Sequence, residues 1–258
     1  VEVLKSCIAA NRQTHVLITI TGLGGKWMNV KAGDVIKYSG SGSLMVFEDA
    51  ALETQLHGKI MRQIENRKSA PLQIKLADEG KLAVFVEILL PEVHLVLMGH
   101  QYDIYPLARL TKDIGWRVTM VSNPLKVNAN ISGTVDAILG YHQFNDIIID
   151  RYTAIVLMSH DYKTDKINLP KALKTDALYI GMLGPRERSE KIFNELTDEG
   201  TPINEADMER IYAPAGLDIG ALSPEEIALS IIAEIKAVFS KREGGFLRLR
   251  QTAIHERN

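Results

Sequence analysis

TAIVLMSHDYKTDKINLPKALKTDALYIGMLGPRERSEKIFNELTD, residues 153–198, decides the fold of this chain. Thr153–Met158 is an apolar run of strand length, and Ala177–Met182 is a second. The first is followed by a predicted helix over Leu169–Lys174. The second is followed by one over Arg186–Glu199, where Ile192 and Leu196 share a face and Gly200 supplies a stop. Strands that alternate with helices in this way predict a parallel, doubly wound sheet.

The pattern extends in both directions. Upstream, His94–Met98 is a strand ending at Gly99. A helix follows with Leu107, Leu110 and Ile114 on one face, closed by Gly115, and then a strand over Arg117–Val121. An irregular stretch leads to a short apolar piece at Asp146–Asp150. Downstream, the spacing predicts a helix from Glu225 to about Phe239 that buries Ile227, Ile231, Ile235 and Val238. Ser223 caps it, Pro224 opens it and Glu226 closes a capping box.

The first 90 or so residues read differently. A helical start at Val1–Ala10 precedes a β-rich run, His15–Thr21, and then the glycine-rich Gly22–Lys26. A strand pair is expected at Met28–Val30 and Val35–Tyr38, joined at Ala32-Gly33-Asp34. An amphipathic helix is expected from Glu48 to about Arg67, and a hairpin of Leu72–Leu76 with Leu82–Leu89 around Asp78-Glu79-Gly80. Pro91 marks a boundary. The expected organisation is therefore a smaller N-terminal α+β domain over 1–91 and a parallel α/β domain over 92–258.

The 258 residues carry 30 basic and 32 acidic side chains, a net charge of −2, which gives no footprint for nucleic acid or an anionic membrane. The longest apolar runs are strand-sized, far below a membrane span. Cys7 is the one cysteine, and without a neighbouring base it is expected to be an inert thiol. The seven histidines show no paired metal-ligand spacing, so no metal site is expected. With no visible signal peptide, the expected location is the cytoplasm.

Candidate site residues collect where strands or loops hand over to helices, the ligand edge of such sheets. Gly99 begins a dinucleotide-type turn, but Gln101 stands at its second glycine position. Val121 is followed by Ser122-Asn123-Pro124 rather than a ribose-binding acid, which makes NAD(P) doubtful. His160 and Asp161 follow the strand Thr153–Met158. The histidine can transfer protons, with Asp161 or Asp165 orienting it, or it can serve a structural turn. Gly181, Gly184 and Arg186 form an anion-binding turn, with free N–H groups and a planar guanidinium at a helix start; Arg188 is expected to matter less if it faces solvent. Gly216 and Asp218 lie in the apolar loop Pro214–Gly220, which reads as a core plug or a pocket wall. Ser39–Ser43 with Gly22–Lys26 reads as a linker or a second anion cradle. No nucleophile has a triad around it, so no catalytic residue is assigned.

Met158–Asp161, Tyr179–Gly184 with Arg186, Ala213–Gly220 and Pro224–Glu234, in this order and separation, resemble the XdhC/CoxI family of molybdenum-hydroxylase maturation factors. The resemblance implies a Rossmann-like C-terminal domain beside a smaller N-terminal one. It also implies an accessory factor, a non-enzymatic chaperone that binds molybdenum cofactor (molybdopterin) and assists its sulfuration and insertion into a xanthine dehydrogenase-type molybdoenzyme. A cysteine desulfurase and a homodimer are further associations it leaves open. Ser41-Gly42-Ser43-Leu44 stands where family members commonly carry Gly-Gly-Cys-Leu-Glu, while Asp103 and Pro106 match part of the family. The alternatives are an NAD(P)-dependent oxidoreductase and a divergent paralogue acting only as an interaction scaffold.

Overall fold

The computed structural model describes residues 12–25, 27, 29–75, 80–128, 131 and 133–251. They form two compact units, one ending at Pro91 and the other running from Glu92 to Gln251. Cys7 and the expected helix at Val1–Ala10 lie outside the described residues.

The first unit is a four-stranded antiparallel sheet backed by a helix. Its strands are β1 (His15–Gly24), β2 (Val35–Tyr38), β3 (Ala70–Lys75) and β4 (Lys81–Leu89), in the order β2-β1-β4-β3. Helix α1 (Ala50–Glu65) starts at Asp49, whose carboxylate accepts from the Leu52 amide at 2.9 Å. Its Leu52, Leu56 and Ile60 pack with Ile18, Ile20, Leu82, Val84 and Val86. Val35–Tyr38 pairs with β1 rather than with Met28–Val30; of that expected partner, Asn29 and Val30 are not in a strand and Met28 is undescribed. The Ile20 carbonyl accepts from Gly33 N–H, so the turn residues are anchored to the long strand. Ser41–Phe47 is a 3-10 helix, which replaces the expected open Ser39–Ser43 loop because Leu44 and Phe47 are drawn into the core.

The second unit holds β5 (His94–Met98), α2 (Ile104–Asp113), β6 (Arg117–Val121), β7 (Ala137–Leu139), β8 (Thr153–Leu157), α3 (Tyr162–Leu173), β9 (Tyr179–Met182), α4 (Arg186–Asp198), the single turn α5 (Glu205–Met208), β10 (Ile211–Tyr212) and α6 (Pro224–Phe239). Every neighbouring pair is parallel, in the order β10-β9-β8-β5-β6-β7. Numbered along the chain within this unit and read from the β7 edge, the order is third, second, first, fourth, fifth, sixth, that of the Rossmann fold. The strands alternate their side chains between two apolar layers. Leu95, Leu97, Val118, Val156 and Tyr179 face Leu107 of α2 with Ile231 and Ile235 of α6. Val96, Met98, Ile155, Leu157 and Ile180 face Leu169 of α3 and Ile192 of α4. Helices on both faces explain why these strands read as unbroken apolar runs.

Several elements differ from expectation. Helix α3 begins at Tyr162 rather than Leu169, because Asp161 caps it through the Thr164 amide at 2.7 Å. Its first two turns are polar, which hid it from hydrophobic periodicity. Strands β7 and β10 are three and two residues long at the two sheet edges and carry no pattern of their own. Ile227 and Val238, expected in the core, are only partly covered.

Glycine is required where the sheet's direction of growth reverses. A Cβ at Gly99 would lie 2.8 Å from the Met158 carbonyl carbon and overlap its oxygen. Gly99→Ala should lower stability by about 1–3 kcal/mol through overpacking. Gly58, exposed inside α1 with open space around it, should behave oppositely. There Gly58→Ala should gain about 0.5–1 kcal/mol from helix propensity. Chemical denaturation of both variants checks the pair.

Candidate functional site

The strand order reverses between β5 and β8, so the loops leaving their carboxyl ends border the crevice where such folds take ligands. Gly99 and Met158 close the floor of that crevice by backbone contact. Above it, one side chain from each loop meets the other. His160, after β8, stands 2.5 Å through Nε2 from Oδ2 of Asp103, which lies after β5. His160 holds a left-handed backbone with φ of 58°, a conformation that costs about 1–2 kcal/mol for a non-glycine residue. Asp103 occupies the N-cap of α2 yet makes no capping bond. It is 8% exposed, and its Oδ1 has no hydrogen-bond partner. A buried carboxylate oxygen without a donor is costly.

Both residues line a cavity of about 510 Å³ whose other walls come from Leu183, Gly184, the 214–222 loop and the start of α6. That loop is fixed by hydrogen bonds. Gly216 N–H donates to Glu234 Oε2 at 2.9 Å, the Ser230 hydroxyl donates to the Leu217 carbonyl at 2.6 Å, and Ala215 N–H donates to the Met182 carbonyl at 3.0 Å. Tyr179 Oη also donates to Glu234 Oε2, at 2.5 Å, and its ring stacks on Tyr212 with centroids 4.4 Å apart. Burial, reinforced by the Glu234 carboxylate, pushes the Tyr179 phenol well above its ordinary range, so it stays a donor. Gly216 has φ of 114°, and a Cβ there would strike the Ser230 hydroxyl. Gly181 is excluded from bearing a side chain by the Tyr179 ring, 2.8 Å from where its Cβ would be. Gly216 lines the cavity, and Gly181 is buried in the strand outside its lining.

The expected anion turn is partly rearranged. No side chain caps α4, and Gly184, just before it, lines the cavity. Arg186 is exposed and is not among the cavity residues. Arg188 does not face solvent. Its guanidinium turns back to Asp165 Oδ2 at 2.7 Å, with the Arg188 side chain 22% exposed and that of Asp165 2%. Asp165 Oδ1 accepts from the Ser159 hydroxyl at 2.5 Å. Burial raises the Asp165 carboxyl above its usual value, opposed by the Ser159 and Arg188 contacts. Neither acid expected to orient His160 does so. Asp165 is taken by Ser159 and Arg188, and Asp161 caps α3, where the hydrogen bonds of Thr164 hold its carboxyl below the usual range. The acid that does orient it, Asp103, is 57 positions away in the chain. The signal that could have found it was an aspartate one residue before a helix, in the first strand–helix turn of the sheet. Asp218 is exposed at the cavity edge. Among the described residues no Lys or Arg lines the cavity, whose charged and ionisable groups are Asp103, Asp218, His160 and the Tyr102 phenol. Among the described residues no cluster of three His, Cys, Asp or Glu side chains could hold a metal ion. No helix among them is long and apolar enough to cross a membrane.

Residues 95–235, more than half of the chain, match the model of the XdhC Rossmann domain. The chain belongs to the XdhC family. It is 30% identical over 161 residues to a probable xanthine dehydrogenase subunit of Bacillus subtilis, covering 59% of this chain and 44% of that protein. It is 25% identical over 175 residues to the uncharacterized protein YqeB of Escherichia coli, covering 65% of this chain and 31% of that one. The chain thus spans less than half the length of these curated relatives. Its fold is similar to a crystal structure described as a xanthine dehydrogenase from Bacillus halodurans, with a TM-score of 0.52 and 18% identity over 94% of this chain and 96% of that one. At that identity the likeness speaks for the fold alone.

Since Arg188 neutralises a buried acid and Arg186 does not, their removal should have unequal effects on stability. Arg188→Ala should cost about 1.5–3 kcal/mol, the scale of a hydrogen bond to a charged group. Arg186→Ala should stay within about 0.5 kcal/mol. The Arg188→Ala deficit should also shrink in acid. A carboxyl with a raised folded-state pKa is favourable when protonated, and its cost appears as pH rises through that value. Urea unfolding of both variants, near neutral pH and in acid, measures this.

Proposed function

We propose that this chain is an accessory factor for a xanthine dehydrogenase-type molybdenum hydroxylase, and that its Rossmann unit holds molybdenum cofactor (molybdopterin) for sulfuration and insertion. Membership of the XdhC family and the name of the Bacillus subtilis relative support the partner class. The observation that carries the binding reading is the cavity bounded by Gly184 and the 214–222 loop, within the size range of small-molecule sites.

The residues present fit the organic parts of such a ligand. Leu183, Leu217, Ile219, Leu222 and Ile227 offer apolar walls to a planar ring. The uncapped start of α4 beside Gly184 offers backbone N–H groups to a phosphate, with exposed Arg186 in its first turn. Since no lysine or arginine among the described residues lines the cavity, this reading puts the phosphate at that end and the ring at the Asp103 end. His160, Gly216 and Asp218 then act as orienting groups and walls rather than as metal ligands, while Asp161, which caps α3, and the buried Gly181 are not among the cavity residues. Delivery to the hydroxylase, help from a cysteine desulfurase and homodimer formation are parts of the same reading that rest on the family.

An NAD(P)-dependent oxidoreductase is the second reading, favoured by the strand order. Against it, Gly99 is committed to the Met158 backbone, Gln101 replaces a glycine, and the Asp103–His160 bond spans the crevice where a pyrophosphate would lie.

Leu222 is 89% exposed and lines the cavity, so Leu222→Asp should fold normally while adding a negative charge beside an anionic ligand. Affinity for molybdenum cofactor released from a purified molybdoenzyme should fall about tenfold, or about 1.4 kcal/mol. Leu125→Asp, at a 95% exposed position outside the cavity residues, should leave affinity unchanged. Equal affinities in wild type and Leu222→Asp would move the ligand elsewhere. Micromolar binding of NAD or NADP in the same titration would favour the dehydrogenase reading instead.

A further inference from the structure

We propose that Asp103 and His160 form a general base at the ring end of this cavity, so that the Rossmann unit acts on its ligand as well as carrying it. The proposal takes its ligand from the preceding reading and adds a chemical step to it. The substrate class is a phosphorylated heterocyclic ligand with a weakly acidic hydroxyl or ring N–H placed against His160.

Three observations converge on this pair. The two side chains come from opposite sides of the point where strand order reverses, so the bond between them exists only because β5 and β8 are adjacent. Each residue gives up local stability for it. His160 holds a left-handed backbone, and Asp103 forgoes the capping bond normally made by an aspartate at a helix start. Such a cap is usually worth about 0.5–2 kcal/mol. Finally, the pair is open to the cavity: the His160 side chain is 43% exposed while that of Asp103 is 9% exposed. A buried acid holding a half-exposed imidazole is the arrangement of a base and its orienting group.

The chemistry follows from the hydrogen bond. An ionised Asp103 only accepts, so His160 donates its Nε2–H to Oδ2, and the neutral ring carries its lone pair on Nδ1. Nδ1 has no protein partner among the described residues. A ligand X–H group beside it breaks its X–H bond, the proton forms an N–H bond on Nδ1, and the electron pair stays on X. Asp103 then faces an imidazolium and stabilises it without taking the proton. The reverse transfer returns the proton to the ligand. His160 is the catalytic residue and Asp103 its positioning residue.

A probe that needs no knowledge of the natural ligand tests the base. 5-Nitrobenzisoxazole is planar and suits the apolar walls. Loss of its ring C–H proton to a base forms a nitrile as the N–O bond breaks, and the cyanophenolate released is followed by absorbance. The full chain should accelerate this reaction above buffer, and His160→Asn should lower the protein-dependent rate at least tenfold, since a positioned base typically contributes about 10²–10⁴. Asparagine tolerates the left-handed backbone, which keeps that variant folded. Nitrogen-15 spectra of histidine-labelled wild type should show the neutral His160 ring protonated on Nε2, and Asp103→Asn should mix or invert the tautomers and shift the pH profile of the protein-dependent rate, the second being a change that a purely structural bond would not produce. Equal rates in wild type and His160→Asn, or a resting ring protonated on Nδ1, overturns the proposal. The spectrum of the wild-type chain decides even if a variant fails to fold. Cofactor binding measured on the same samples separates the two readings: binding without base activity removes only the base, and base activity without cofactor binding removes only the cofactor.

Discussion

The close approach of the β5 and β8 exits is the constraint on which the second unit depends. Gly99 N–H donates to the Val121 carbonyl and Met158 N–H to the Met98 carbonyl, so hydrogen bonds between adjacent chains continue just past the strands. At that point only a hydrogen atom fits between Gly99 and the Met158 carbonyl. A glycine that would serve a bound pyrophosphate in a dinucleotide-binding protein serves here to close the sheet against itself. The chain leaves β8 with His160 in the left-handed conformation, beside this contact.

Closing the crevice floor shifts the open space to one side. The cavity lies towards β9, between the exits of β8 and β9, the 214–222 loop and α6. That loop is tied to α6, where Ser230 and Glu234 satisfy its backbone at points that no secondary structure does. Glu234 serves two partners at once, the Gly216 amide and the Tyr179 hydroxyl, which couples the wall of the cavity to the core of the sheet. The result is a fixed concavity with the Asp103–His160 pair at one end and an uncapped helix at the other.

Charge is distributed with similar economy. Arg188 could have met a ligand, but it neutralises Asp165, which in turn holds Ser159 and the exit of β8. The first turn of α4 therefore has one arginine assigned to structure and one left exposed. Arginines two positions apart on a helix point in different directions, so the pair was bound to divide its roles. Which of them turned inward depended on the position of Asp165 in the preceding helix.

The sequence by itself determined the layers, helices on both faces of a parallel sheet. Unbroken apolar strands, the Ser223 capping box, Gly115 and Gly200 at helix ends, and the amphipathic α1 are local signals, and local hydrogen bonding or periodicity enforces each of them. It also placed His160, Gly184 and Gly216 at the ligand edge, since that edge follows from strand–helix alternation alone. Tertiary structure decided the partners. The two edge strands are too short to carry a pattern, α3 hides its polar first turns, and Asp103 reaches His160 across 57 residues. Side chains on different loops have no shared period in sequence. Only the adjacency of β5 and β8, fixed by burial on both faces of the sheet, brings that acid and that imidazole within hydrogen-bond distance.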